Sequence, residues 1–398
     1  MSHFTELVDE LCSEGVSFIK LGDFGVIFGG LTGKTKADFS DGNARFVSYM
    51  NVLNNNAVDT RRNDFVRVGA AENQRSLHLG DVLLTGSSET AIDVGMSSVM
   101  TEEPSEPLYL NSFCIGFRPR DSSLLDPDFC KHLFRSGLMR SQLVRTASGV
   151  TRFNMSKARL AEVKVPVPPL EVQREIVRIL DTFSELEAEL EAELEARRVQ
   201  YTYYRDSLVA TVDTGGVARA RLSDVATVRV GQAPNERALS DDGLYSFVNA
   251  GTTPSGRIAE TNTPGDTVTI PSRGQGGVGV VGYQCEAFWC GPLCYRVKSK
   301  SSQLSSRFLY FFLKSIQPAI RGLQQTGGTP ALNRKELVRV EVPIPPLHEQ
   351  DRIVEALDNF DALVSDPSVG LPAELKARRQ QYEYYRDDLL TFKELPNE

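Results

Sequence analysis

The 398-residue sequence lacks any run of about 18 apolar residues, the length needed to cross a bilayer. Its first residues, MSHFTELVDELC, have neither the basic nor the apolar region of a secretory signal. Six cysteines are too few and too scattered for a disulfide framework in a chain of this length. We therefore expect a cytoplasmic protein with reduced thiols, no membrane contact and, at about 150 residues per domain, two or three domains.

Nucleotide-binding loops are also missing. Gly277, Gly279 and Gly282 satisfy the spacing GxGxxG, but the β-like segment YQCEAFW follows instead of a helix, which favours a glycine-rich hairpin. The segment GLTGKT (30–35) lacks the first glycine of a phosphate loop, because Phe28 stands there, and no apolar helix follows it. The sequence therefore predicts no nucleotide site.

Catalytic and metal-binding patterns are equally incomplete. The segment DPDF (126–129) is one residue short of the acidic-Pro-Pro-aromatic motif of adenine methyltransferases, and it is more typical of a helix N-terminus. Cys285, Cys290 and Cys294 have loose spacing and no nearby fourth ligand, which favours buried small residues over a metal site. The four histidines are scattered. We expect no catalytic residue and no bound metal.

The net charge of -8 is unevenly distributed along the chain. Residues 171–208 carry 5 basic and 10 acidic groups, and residues 348–398 carry 6 and 12. Residues 209–347, by contrast, carry 15 basic and 10 acidic groups. Because the acidity is concentrated in two short segments, the charge of the whole chain does not exclude a nucleic-acid partner.

An internal repeat explains this division. Residues 166–183 match residues 343–360 at 10 of 18 positions, and residues 196–208 match residues 377–389 at 10 of 13. Fainter echoes precede each block, among them TASGVTRFNMSK and TGGTPALNRK. The chain thus contains twice a large variable segment that is followed by a short, closely repeated one.

The short repeated segments predict long helices. In both copies a Pro-Pro pair favours an extended lead-in, and apolar residues then recur every three or four positions, as in a coiled-coil seam. The second copy is interrupted by PSVGLP (367–372), whereas the first is continuous. The residues expected in coiled-coil packing or partner docking are Leu186, Leu190, Leu194, Tyr201, Tyr204, Tyr382, Tyr385 and Leu389.

The variable segments are expected to be mixed α+β and rich in strands. Short runs such as VATVRV, DTVTI, GVGVVGY and PLCYRV lie between turn residues, and helices are expected at 127–145 and 305–322. Loops that combine small residues with basic and amide side chains suit contacts with phosphates and base edges, although turn caps and surface charges remain the alternative. The candidate DNA-binding residues are Lys34, Lys36, Asn54 and Asn55, followed by Arg273, Gln275, Thr329 and Asn333.

This architecture resembles the specificity subunit of Type I restriction-modification systems. The resemblance rests on PxPPLxxQ leading into each helix and ARRxQYxYYRDxL closing each copy. It implies target recognition domains at 1–165 and 213–342, a helical spacer at 166–212, and a second spacer with a C-terminal tail at 343–398. Each domain would read one half of a bipartite site in double-stranded DNA.

The resemblance further implies that the spacers form an antiparallel coiled coil, with a pseudo-two-fold internal repeat. This coiled coil would set the gap between the half-sites and dock two modification subunits, which in turn bind restriction subunits. S-adenosylmethionine, ATP and magnesium would belong to those partners, leaving this chain without a cofactor. The alternatives are a stand-alone DNA methyltransferase with a recognition domain, which would need its own cofactor pocket, and a coiled-coil scaffold that does not bind DNA.

Overall fold

The computed structural model describes residues 2–214, 216–235, 239–240, 242–325, 328–366 and 368–396. The chain divides into two compact units, both of them α+β as the sequence predicts. The first unit comprises Met1–Glu189 and Leu375–Glu398, and the second comprises Leu190–Glu374.

The first unit begins with a helix and continues mainly as short strands. Its helices are α1 (Ser2–Leu11), α2 (Leu21–Phe24), α3 (Tyr49–Asn54), α4 (Pro127–Leu133), α5 (Gly137–Arg145) and α6 (Lys157–Ala161). Its strands are β1 (Ser17–Lys20), β2 (Gly25–Gly29), β3 (Ala44–Val47), β4 (Phe65–Val66), β5 (Val82–Thr85), β6 (Ser87–Ser88), β7 (Ser97–Val99), β8 (Leu108–Leu110), β9 (Cys114–Pro119), β10 (Ala147–Ser148), β11 (Phe153–Met155) and β12 (Lys164–Val167).

A four-stranded sheet of order β2-β9-β5-β7 forms the centre of the first unit. Because side chains alternate along β5, Val82 and Leu84 pack into one apolar cluster, together with Phe129 of α4, while Leu83 packs into another with Met100. Smaller sheets of order β4-β3-β8 and β10-β11-β6 flank it, and β1 pairs with β12. The sheet is therefore buried on both faces.

The second unit has the corresponding elements. Its helices are α8 (Leu222–Val225), α9 (Ser306–Ser315), α10 (Gln317–Gly322), α11 (Arg334–Leu337) and α12 (Leu347–Ser365). Its strands are β13 (Arg219–Arg221), β14 (Ala226–Val230), β15 (Tyr245–Val248), β16 (Gly256–Ile258), β17 (Thr267–Pro271), β18 (Gly282–Gln284), β19 (Trp289–Cys290), β20 (Cys294–Ser299), β21 (Gln324–Gln325), β22 (Ala331–Leu332) and β23 (Glu341–Pro343).

The sheet orders of the second unit repeat those of the first. The four-stranded sheet runs β14-β20-β17-β18, and β15 pairs in parallel with β19 as β3 does with β8. The hairpin of β17 and β18 encloses the predicted glycine-rich loop, in which Gly276 and Gly279 adopt positive φ angles of 88° and 74°. The run GVGVVGY is therefore mostly a turn, since only its last two residues belong to β18.

Two further expectations are corrected in detail. The helix expected at 127–145 is two helices, α4 and α5, and that at 305–322 is also two, α9 and α10. Asp126 caps α4 by accepting a hydrogen bond from the backbone N–H of Asp128 at 2.8 Å, which confirms the predicted helix N-terminus. Of the three cysteines expected to be buried, Cys290 and Cys294 are buried and Cys285 is exposed.

A buried glutamine anchors the start of the long helix in each unit. Gln173 is in the first turn of α7 (Leu170–Thr214), where its Nε2 donates to the carbonyls of Leu124 and Pro168 and its Oε1 accepts from the N–H of Asp126. In α12, Gln350 makes the matching bonds to Gln303, Pro345 and Ser305. We call each PxPPLxxQ segment, with the loop that its glutamine binds, a joint.

The two repeated segments differ in continuity, as predicted. Helix α7 is continuous for 45 residues, and the boundary between the units falls inside it. In the second copy α12 ends at Ser365 and α13 (Gly370–Leu389) begins after a break, with Gly370 at a φ of 68°. Pro367, part of the predicted interruption, lies outside the described residues.

Within each unit, aromatic side chains connect the long helices. In the first unit Phe183 of α7 stacks on Tyr385 of α13, with ring centroids 5.2 Å apart. One turn further along α7, Glu187 accepts a hydrogen bond from Arg379 at 2.6 Å, so these two segments run antiparallel. In the second unit Tyr201 of α7 lies 5.6 Å from Phe360 of α12.

Candidate nucleic-acid interface

An open cavity of about 520 Å³, which we call cleft 1, lies in the first unit where several strands end. Its walls come from the ends of β2 and β9, the β5–β6 region, β11 and the start of α6. It is lined by Gly29, Gly30, Leu31, Thr32, Gly86, Ser87, Ser112, Phe113, Cys114, Ile115, Arg152, Asn154, Met155 and Lys157. These lining residues include two cations, three hydroxyl side chains, one amide and no carboxylate.

Arg152 is fixed at the edge of cleft 1 by two contacts. Its Nε donates to Ser87 Oγ at 2.7 Å, and its guanidinium carbon lies 5.1 Å from the ring centroid of Phe113. Phe113 itself is 54% exposed. Among the residues that the structure describes, neither Nη atom of Arg152 has a hydrogen-bond partner. A preorganised guanidinium fork therefore faces solvent beside an exposed aromatic ring.

Two more polar groups lie near Arg152. Asn154 is exposed on β11, where it pairs with Ser87 of β6. Lys157, at the start of α6, lies over Gly29, and its Nζ is 3.2 Å from where a β-carbon on that glycine would be. The cleft thus combines an arginine, an amide and a lysine, the three side-chain types that most often contact guanine, adenine and phosphate.

Cleft 2 is the corresponding cavity of the second unit and has a volume of about 380 Å³. It is lined by Val230, Ser272, Arg273, Pro292, Leu293, Tyr295, Gln325, Ala331, Leu332 and Asn333. These residues again include an arginine and amides but no carboxylate. A chain with a net charge of -8 therefore has two cavities of the same kind that exclude acidic side chains.

Strand register relates the two clefts residue by residue. Ser87 lies two residues beyond Thr85, which pairs with Cys114, and Arg273 lies two residues beyond Pro271, which pairs with Cys294. Ser87 in turn faces Asn154, as Arg273 faces Ala331. Arg152 lies two residues before Asn154, and Thr329 lies two residues before Ala331. Arg152 therefore corresponds to Thr329. At these two corresponding positions the first unit has Ser87 and Arg152, and the second unit has Arg273 and Thr329, so the arginine and the hydroxyl residue are exchanged.

The four candidates predicted in the first domain lie outside cleft 1. Lys34 has a side chain only 3% exposed, donates to the carbonyl of Arg67 at 2.6 Å and forms an ion pair with Glu72. The hydrogen bond from Lys34 to Glu72, together with one from Gln74, lowers the pKa of Glu72 to about 2. The geometry therefore favours Lys34 as a structural cation that braces its loop, not as a base contact.

The other three are at helix ends. Lys36 is the exposed first residue of a short 3-10 helix (Lys36–Phe39), and Asn54 is the exposed last residue of α3. Asn55 donates to Asn51 Oδ1 at 2.9 Å. Their assignment to DNA remains a prediction, and none of the three lines cleft 1.

The candidates of the second domain lie in or next to cleft 2. Arg273 and Asn333 line it, and Gln275 and Thr329 are exposed in the adjoining loops. Asn333 also caps α11 by accepting a hydrogen bond from the N–H of Lys335 at 2.9 Å. Its side chain therefore has the role of a turn cap, which the sequence left open as the alternative to DNA contact.

The sequence analysis missed Ser87, Phe113, Arg152 and Asn154. The signal that points to two of them is the echo between TASGVTRFNMSK and TGGTPALNRK, because Thr329 and Asn333 were chosen from the second of these segments. Transferring those choices to the first copy would have led to Arg152 and its neighbours.

The eight predicted helix residues differ in exposure. Leu194, Tyr201 and Leu389 are buried, while Leu190, Tyr382 and Tyr385 are half-buried. Leu186 and Tyr204 are 41% and 46% exposed, although the ring of Tyr204 lies 6.2 Å from that of Phe360.

Tyr382 belongs to a polar network in the first unit. Its hydroxyl lies 2.9 Å from Nδ1 of the buried His132, whose Nε2 is 2.8 Å from Asp181 Oδ1. Burial raises the pKa of Tyr382 to about 12 and lowers that of His132. The pair is therefore neutral near pH 7, and the network connects α4 with both long helices.

Two exposed tyrosines are repeated on the long helices. Tyr203 and Tyr384 occupy the same place in ARRxQYxYYRDxL and are 68% and 67% exposed. Packing within either unit does not explain why an exposed aromatic residue should be identical in both copies.

The described residues contain no group of three or more His, Cys, Asp or Glu side chains that could hold a metal ion. No helix in the described part of the chain is long and apolar enough to span a membrane.

Comparison with known proteins identifies the class. The family model of the Type I restriction modification DNA specificity domain matches residues 13–196 and again 216–377. The chain therefore belongs to this family, with one copy of the domain in each half.

Its relatives are specificity subunits. A putative type I specificity subunit of Mycoplasma pneumoniae is 31% identical over 237 residues, which are 57% of this chain and 92% of the relative. A putative type I restriction enzyme specificity subunit of Haemophilus influenzae is 32% identical over 267 residues, 62% of this chain and 68% of the relative. The crystal structure of a Type I S subunit from M. genitalium shares the fold, with a TM-score of 0.54 and 16% identity over 94% of this chain and 96% of that one.

Proposed function

We propose that this chain is the DNA-recognition subunit of a Type I restriction-modification complex and acts in the cytoplasm. The domains at 1–165 and 213–342 each read one half of a bipartite DNA site. The observation that carries this proposal is the pair of acid-free clefts, which stand at corresponding places in the two units and each hold an arginine and an amide.

The charge distribution supports a division of labour with partner subunits. Affinity for DNA depends largely on phosphate neutralisation, which a chain of net charge -8 supplies poorly by itself. The clefts supply side chains suited to base edges instead. The isolated chain should therefore bind DNA weakly, and modification subunits should strengthen binding.

The spacers at 166–212 and 343–398 are proposed to form an antiparallel coiled coil that fixes the gap between the half-sites. The antiparallel contacts of Phe183 with Tyr385 and of Glu187 with Arg379 support this arrangement. The repeated exposed pair, Tyr203 and Tyr384, supports two equivalent docking sites for two modification subunits, with a pseudo-two-fold relation between the copies.

In this proposal the chain contributes no catalytic residue. S-adenosylmethionine, ATP and magnesium are bound by the modification and restriction subunits, and the restriction subunits join through the modification subunits. The part of this chain is to position the complex on DNA.

Methylation mapping tests the proposal. The chain is co-expressed with its modification subunits in a host that lacks other adenine methyltransferases, and methylated adenines are mapped by long-read sequencing. The expected result is one discontinuous sequence, of which only one half changes when 1–165 is replaced by the domain of a relative. Methylation without a discontinuous site, or a domain exchange that alters both halves, would refute it.

A further inference from the structure

Ser87 and Phe113 hold the guanidinium of Arg152, and its two Nη atoms remain open to a ligand. Ser87 Oγ fixes its Nε at 2.7 Å, and the ring of Phe113 supports the guanidinium from a distance of 5.1 Å. Both Nη atoms are left without a hydrogen-bond partner in the described part of the chain. The described residues that line cleft 1 include no carboxylate. A neighbouring cavity, which Arg152 also lines, contains Glu89 and Asp93, but Arg152 forms no ion pair with either of them.

This geometry matches one base in particular. Two Nη donors in a fixed plane fit the paired O6 and N7 acceptors of guanine in the major groove, which is the most frequent specific contact of arginine. Resting on the proposed function, we infer that Arg152 reads a guanine in the half-site recognised by the first domain, and that Ser87 and Phe113 position it.

A phosphate contact explains these features less well. A phosphate can be neutralised by a mobile point charge, and Lys157 already offers one in the same cleft. A phosphate contact requires neither the hydrogen bond from Arg152 Nε to Ser87 nor the exposed ring of Phe113. Orienting the fork lowers the entropy lost on binding and fixes the direction in which its two Nη donors point, which suits the fixed positions of O6 and N7 on a base edge.

The second cleft supports the assignment by contrast. Thr329 stands where cleft 1 has Arg152, and Leu293 follows Pro292 where Phe113 follows Ser112. Cleft 2 therefore cannot make the same contact at the same place, and the guanine read by Arg152 belongs to the first half-site alone.

The test uses the complete complex of this chain with its modification subunits. Arg152→Ala and Arg152→Lys are compared with the unchanged complex by methylation mapping and by binding to DNA sites altered one base pair at a time. In the unchanged complex, replacing one G·C pair of the first half-site should weaken binding by about 5- to 150-fold, the discrimination of one good bidentate contact. Arg152→Ala should lose this discrimination at that pair and Arg152→Lys should lose part of it, with the second half-site unchanged.

Arg152→Lys separates the two roles, because lysine keeps the charge but cannot form the planar fork. Retained discrimination in Arg152→Ala would overturn the inference, as would relaxation in the second half-site. Ser87→Ala should lower discrimination less than Arg152→Ala, because it frees the fork without removing it. Arg61→Ala, an exposed arginine of the first unit outside cleft 1, is the control and should change nothing at that pair.

The outcomes also distinguish the inference from the proposed function. If the unchanged complex methylates no discontinuous site, the proposed function fails and the inference fails with it. If that site is present but keeps its first half in the arginine variants, only the inference fails.

Discussion

Clefts 1 and 2 are formed by corresponding strands in the same register, yet their arginines come from opposite walls. In cleft 1 the arginine is Arg152, next to β11, and in cleft 2 it is Arg273, next to β17. The exchange leaves the backbone pairing intact. Recognition can therefore change between the units through side chains alone, while the sheets that present them stay the same.

The joints of the two units show the opposite behaviour. Gln173 and Gln350 make the same three bonds at corresponding positions, although the loops they bind differ in sequence. The polar network of Tyr382, His132 and Asp181 in the first unit has diverged in the second, because Phe311 stands in α9 where α4 has His132. The attachment of the long helix is thus more constant than the contacts around it.

The largest effect is expected at the joints. Gln173→Leu keeps the size of the side chain but removes the partner of two carbonyls and one N–H at a buried or partly buried site, which should lower the free energy of unfolding by about 3 kcal/mol. Denaturant unfolding measures this change. Gln350→Leu should cost the same within about 1 kcal/mol if the joints are equivalent. If Gln173→Leu lowers the free energy of unfolding no more than the exposed control Arg174→Leu does, Gln173 does not anchor the helix as the comparison of the joints requires.

A smaller effect is expected at the repeated exposed tyrosines. Tyr203→Ala and Tyr384→Ala should each weaken one docking site by about tenfold, since losing a buried aromatic anchor costs about 1–2 kcal/mol or more. Native mass spectrometry of the complex should then show lower occupancy of one docking site in each single variant and of both sites in the double variant. The neighbouring controls Thr202→Ala and Glu383→Ala should retain both. Full occupancy in the double variant would refute docking at this surface.

The acidic tetrapeptide EAEL, which occurs at 187–190 and 191–194, allows a finer change. Deleting one copy shortens α7 by about 6 Å and rotates the remainder of the helix by about 40°, so the apolar stripe is nearly preserved. At about 3.4 Å per base pair, the gap between half-sites should change by one or two base pairs with both half-sites intact. Methylation mapping decides this: an unchanged gap in an active variant means that α7 does not set the spacing.

The smallest effect concerns the diverged network. Burial lowers the pKa of His132, so the folded state disfavours the charged ring. The stability that the neutral His132 ring contributes to the folded state is complete above the ordinary histidine pKa near 6.5. It is lost as the pH falls below that value. His132→Phe, which introduces the residue of the second unit, should flatten the fall in Tm between pH 7.5 and 5.5. The exposed control His348→Phe should keep the slope of the unchanged protein.

The repeat in the sequence predicts the helices, their continuity and the position of each buried glutamine, because these depend on local spacing. The clefts depend on strand register between distant segments. Composition pointed to Lys34, but its partner Glu72 lies 38 residues away, and no local pattern reveals that pair. Arg152 could be found only by aligning its segment with that of Thr329 and Asn333, which the structure does through the pairing of β6 with β11.

The duplicated joints also have a consequence for the gene. The blocks that encode residues 166–183 and 343–360 specify the same amino acid at 10 of 18 positions. A crossover between them would remove one recognition unit in a single step, and the remaining unit would keep a glutamine with the side chain it needs to bind its loop. Loss or exchange of a whole unit is therefore a smaller structural disturbance than many point mutations inside it.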